Sequence, residues 1–112
     1  MHCLVRIRRE ITIEDEEIRH FSDELPWTIA NALTVLDRDR VGRESLQHNI
    51  KVHLEEANIG DLNTTSLEIN IWVSGFSTDQ RACKERRERI INGINGKAPS
   101  GIKMAVQVSF SN

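Results

Sequence analysis

Four stretches of this 112-residue chain alternate apolar and polar residues with a period of two, and two longer stretches repeat apolar residues every three or four positions. Their order is strand, helix, strand, then strand, helix, strand again. No other feature restricts the fold so much. The first strand spans Cys3 to Ile11, where Cys3, Val5, Ile7 and Ile11 alternate with Leu4, Arg6, Arg8 and Glu10, and Arg9 breaks the apolar face. The second spans His48 to Glu56, with Ile50, Val52 and Leu54 opposite Lys51, His53 and Glu55. The third, Leu67 to Phe76, presents Leu67, Ile69, Ile71 and Val73 on one face. The last, Ile102 to Phe110, presents Ile102, Met104, Val106, Val108 and Phe110.

Ile18, Phe21, Leu25, Ile29, Leu33 and Leu36 form one helical stripe between Glu14 and Leu36. Thr12 with Asp15 is a candidate capping pair, and the acids at 14–17 suit a first turn, where the macrodipole favours negative charge. Pro26 falls inside the stripe and predicts one kinked helix. A single helical turn is expected over Arg43 to Gln47. The second long helix runs from Thr78 to Ile94, with Ser77 and Gln80 as a candidate capping box and Gly93 and Gly96 near its end.

Each strand has one apolar face and each long helix one apolar stripe. The economical solution is an α+β fold, a four-stranded mixed sheet with both helices on one face. Residues 1–57 make the first β-α-β unit and 67–112 the second, in a single domain. Each unit should be right-handed with parallel strands, the second antiparallel to the first. The turn-rich stretch at 58–65 predicts a hairpin between the second and third strands. A ferredoxin-like arrangement has the same element order and stays open.

The net charge of −2 gives no general attraction to nucleic acid or to an anionic membrane. No apolar run is long enough to span a bilayer, and no leader pattern precedes the first strand. Cys3 and Cys83 sit in apolar rhythms and read as small buried thiols of a reducing, cytoplasmic compartment. His2, His20, His48 and His53 lack metal-ligand spacing, so neither metal nor cofactor is expected. The cations from Arg81 to Arg89 are interleaved with Glu85 and Glu88 and read as a solvated helix face, with Glu85 and Arg89 paired. Arg6 and Arg8 share a strand face that the helices do not cover. There they either pair with Glu55 or Glu68 or hold a substrate carboxylate. Trp72 projects from that same face and implies that another subunit covers it.

Gly75, Ser77, Thr78, Asp79, Gln80 and Arg81 follow the third strand and open the helix. This pattern resembles the tautomerase superfamily, typified by 4-oxalocrotonate tautomerase and macrophage migration inhibitory factor. In that family a strand ends in Gly-x-[Ser/Thr], and an acidic residue with Gln-Lys/Arg begins the helix. The resemblance covers most of the second half of the chain and implies a homotrimer acting on small enol or keto acids. It also implies an N-terminal proline as catalytic base. Here Met1 precedes His2, and no proline lies nearer than Pro26.

A tautomerase without that proline needs another base near neutral pKa. The Met1 α-amine, with a reference pKa of about 7.7–8.0, and His2 are the candidates. Parallel β-α-β geometry sets the starts of the first two strands side by side, which brings His48, Asn49 and Lys51 close as binders of a carboxylate-bearing molecule. The expectation is a tautomerase-like homo-oligomer, most simply a trimer, that is inactive or of divergent activity. The alternative is a ferredoxin-like binding module that uses its open sheet face.

Overall fold

The alternating segments form β1 (His2–Glu10), β2 (Ile50–Ala57), β3 (Leu67–Ser74) and β4 (Met104–Ser111); the helices are α1 (Asp15–Leu33), α2 (Arg43–His48) and α3 (Gln80–Asn95). The structure is a computed structural model, and it describes residues 2–10, 14–34, 43–57, 67–75, 79–98 and 101–111. Ile11, Leu36 and Phe76, expected as element ends, lie outside these residues.

The four strands make one sheet in the order β2-β1-β3-β4. β1 runs parallel to β2 and antiparallel to β3, and β3 runs parallel to β4. Each β-α-β unit therefore keeps its own strands adjacent. The expected hairpin does not form, because β1 lies between β2 and β3. The physical reason is burial. The two strands whose inward apolar residues are most deeply buried take the centre, where both neighbours shield them. Val5 and Ile7 of β1 and Ile69 of β3 have no exposed surface, whereas Leu54 of β2 is 41% exposed. The charged side chains of β2 suit an edge, where they discourage further pairing. A split β-α-β, in which another strand separates the two strands of one unit, is ruled out by the direct β1–β2 pairing.

Both long helices lie on the face formed by Cys3, Val5, Ile7, Ile69, Ile71 and Val73. Ile18, Phe21, Leu25 and Ile29 of α1 and Ile90 and Ile94 of α3 complete this core. Apolar residues three and four apart on α1 are buried together, as the stripe requires. Pro26 lies inside α1, which continues as one helix to Leu33. Packing of the stripe against the sheet outweighs the hydrogen bond that proline removes.

The helix ends differ from expectation in their caps. α1 has Glu14 at its N-cap, with no side-chain cap bond, and Thr12 lies outside the described residues. Arg9 bonds Asp15 in the first turn instead, tying the end of β1 to the start of α1. α3 is capped by Asp79, whose carboxylate accepts from the Ala82 N–H at 3.1 Å; Ser77 lies outside the described residues. The turn expected over Arg43 to Gln47 is present and extends to His48. β2 therefore begins at Ile50, two residues later than its sequence pattern suggests.

Candidate functional site

The start of β1 is enclosed on both sides by backbone. The Cys3 N–H donates to the Asn49 carbonyl at 3.2 Å, which anchors the α2–β2 junction beside it. On the other side His2 pairs in register with Ser74, the last residue of β3. The next strand out ends at the same level, since Ser74 pairs with Ser111 and the Gly75 N–H donates to the Ser111 carbonyl at 3.2 Å. Gly75 has a positive φ of 87°, a conformation that glycine adopts without the Cβ clash. It turns the chain away from β3 at this end of the sheet.

His48 closes α2 and Asn49 forms the turn into β2; both side chains are exposed. His48 is therefore a helix-terminal residue, not the first residue of the second strand as its sequence pattern suggests. The expectation that the two strand starts adjoin is met by the backbone. His2 belongs to β1, but its side chain and all of Met1 lie outside what the structure describes. Lys51 is opposite Leu4 in the β1–β2 register, one step further along and on the face away from the helices.

Three successive rows of side chains cross the middle of that open face. Lys51, Leu4, Trp72 and Ser109 form the first row, followed by His53, Arg6, Asn70 and Gln107, then Glu55, Arg8, Glu68 and Ala105. Arg6 donates from Nε and Nη2 to one oxygen of Glu55, at 3.0 and 2.8 Å. This hydrogen bond, reinforced by the Arg6 charge, holds the Glu55 carboxyl below the usual carboxylate range, and it pushes the Arg6 guanidinium up in turn. Arg8 approaches Glu68 at 4.0 Å, and the same Glu68 oxygen accepts from the Asn70 amide at 2.9 Å.

Arg6 and Arg8 thus form the cross-strand pairs anticipated from their face, while the start of β1 lies several residues away along the strand. The backbone brings His48, Asn49 and Lys51, not these two arginines, next to the start of β1. Ser74 joins the same end of the sheet and was not singled out from the sequence. Its only signal is its place at the end of the third alternating run. Cavities are found elsewhere among the described residues. One of about 700 Å³ along the first turns of α1 is lined by Glu14, Glu16, Glu17 and Asp23 together with Arg19 and His20. Its acidic rim disfavours an acid as ligand.

The cysteines behave as small apolar residues. Neither Cys3 nor Cys83 is in a disulfide, and both are buried. Burial pushes the Cys3 thiol up to about 12, so it is a neutral thiol and not a nucleophile at neutral pH. No helix among the described residues is long and apolar enough to cross a membrane.

Sequence comparison with protein families and with curated proteins finds no match. Comparison of the fold with solved structures does find likenesses. Pt0534, solved after inactivation by 2-oxo-3-pentynoate, matches with a TM-score of 0.67 and 15% identity, over 96% of this chain and 85% of that one. FG41 malonate semialdehyde decarboxylase, solved with 3-bromopropiolate as inhibitor, matches with a TM-score of 0.62 and 10% identity, over 96% and 82%. A fused 4-OT that forms a symmetric trimer matches with a TM-score of 0.58 and 7% identity, over 97% and 84%. With its two β-α-β units side by side in one four-stranded mixed sheet, the chain shares the tautomerase-like fold of these solved structures.

Proposed function

We propose that the protein is a homo-oligomeric, tautomerase-like isomerase of divergent activity, acting on small enol or keto acids without an N-terminal proline. The Met1 α-amine is the base, and its reference pKa of about 7.7–8.0 suits proton transfer near neutral pH. His2 assists it, and His48, Asn49 and Lys51 hold the substrate carboxylate. The observation that carries this reading is the Cys3–Asn49 hydrogen bond, which brings the α2–β2 junction against the first residues of β1. A base at the chain start and donors at that junction then serve one small molecule.

The same reading includes a trimer whose protomers cover each other's open sheet faces. Leu4 and Trp72, 40% and 42% exposed on that face, support it, as does the trimeric assembly of the fused 4-OT. Two buried thiols are consistent with a cytoplasmic location.

The test is ketonisation of phenylenolpyruvate by protein freed of contaminating isomerases. The expected result is a rate enhancement that falls at least about a hundredfold when the Met1 amine is acetylated, the usual scale for loss of a general base. Activity that survives acetylation would move the base to His2. No enhancement at all would make this a tautomerase fold without tautomerase chemistry.

A further inference from the structure

A cavity of about 430 Å³ opens between the first two turns of α3 and the end of β4, lined by Gln80, Cys83, Lys84, Arg87 and Phe110. Phe110 is in register with Val73, and Val73 with Cys3, so the cavity is two strands from β1 and on the helix side of the sheet. It shares no residue with the site proposed above. Two of its lining side chains are cations, and no acid is among the described residues that line it.

Two other cations of this helix layer are paired with acids. Arg89 pairs with Glu85 at 3.7 Å and Lys97 with Glu24 at 3.9 Å. Lys84 and Arg87 have no ion-pair partner among the described residues. Arg87 is nevertheless held in place. Its Nε donates to the Val108 carbonyl at 3.3 Å, and its guanidinium stands 5.8 Å from the centre of the Phe110 ring. These contacts use Nε and one face of the group, leaving its terminal N–H donors for a ligand. A guanidinium fixed in advance loses little entropy when it binds. The helix end itself is closed by the Asp79 cap, so these side chains, not the helix terminus, would carry the interaction. Phe110 and the nearly buried Cys83 supply an apolar wall beside the charge.

We propose that this cavity binds a small organic oxyanion, a carboxylate or phosphate ester with an apolar or aromatic body. Arg87 and Lys84 take the oxyanion, the Gln80 amide adds a donor, and the body lies against Phe110. The volume is within the range of ordinary small-molecule sites.

The experiment is a titration of ¹⁵N-labelled protein with benzoate, phenyl phosphate and inorganic phosphate, following the Arg87 Nε–H and Gln80 side-chain amide resonances. Saturable movement with benzoate or phenyl phosphate is expected, and the tighter of the two identifies the acid group. Lys84→Gln should weaken that binding about tenfold, the scale of one charge-assisted hydrogen bond. Because Lys84 is exposed, the variant keeps its fold, as unchanged amide resonances of the sheet would show. Saturation by neither organic acid overturns the proposal, and so does binding that Lys84→Gln leaves unchanged. Inorganic phosphate that binds as tightly as phenyl phosphate overturns the role of Phe110.

Discussion

Cys3 and Arg9 show how single positions on β1 are settled by what surrounds them. Arg9 occupies an inward position at only 8% exposure, where a lone charge would be costly. It is accommodated because Asp15 and Glu56, the latter at 3.3 Å, converge on its Nη2. Cys3, 2% exposed in the same row, is neutral because burial penalises the thiolate. The folded thiol keeps its proton to about 12, whereas an unshifted thiol loses it near 9.0. Below that lower value both states are protonated and the group adds no pH dependence. Between the two, unfolding releases a proton, so stability falls as pH rises. Urea midpoints at pH 8 and 10.5 should therefore show a steeper loss for the native sequence than for Cys3→Ala. The difference should be at most about 1.4 kcal/mol per pH unit, the limit for one proton. Equal slopes would mean that Cys3 ionises as readily folded as unfolded.

At the scale of elements, the contact between α1 and α3 depends on a small residue. A Cβ built on Gly93 would stand 3.1 Å from the Thr28 Cγ2. Thr28 is buried and bonded through its hydroxyl to the Glu24 carbonyl at 2.9 Å, so it has little freedom to yield. Gly93→Val should force the helices apart and cost about 1–3 kcal/mol, as overpacking of a close contact generally does. Chemical denaturation would measure it. A variant as stable as the native protein would show that the two helices tolerate extra volume here. The sequence places Gly93 near a helix end, where glycine ordinarily serves to stop the helix. In the structure α3 continues to Asn95, and the absence of a side chain at 93 serves packing instead.

At the scale of the whole molecule, the sheet has one face under two helices and one face bare. The bare face combines Leu4 and Trp72 with the Arg6–Glu55 and Arg8–Glu68 pairs. Trp72→Lys would place a charge where the proposed trimer needs contact. It should reduce the solution mass from three copies to one, read by light scattering on a sizing column. A native protein that already runs as a monomer would overturn the trimer, and a variant that stays trimeric would remove Trp72 from the interface.

Alternation and helical periodicity, read from the chain alone, were enough to place the four strands and two long helices of the described residues within a few residues and to sort inward from outward positions on the strands. They were enough because both depend on local geometry, the two-residue repeat of a strand and the 3.6-residue repeat of a helix. The partners of Arg6 and Arg8 were legible for the same reason, since residues on one sheet face have few acids within reach. Strand order was not legible. The sequence predicted a β2–β3 hairpin, and only packing decided that β1 and β3, whose inward apolar residues are the most deeply buried, would meet at the centre. That choice brought Ser74 beside the start of β1. The cavity at Lys84 and Arg87 was equally hidden, because the charged run on α3 reads as one solvated face. Which of its cations find an acid and which face a cavity depends on where β4 ends, a relation between residues far apart in the chain that no local period encodes.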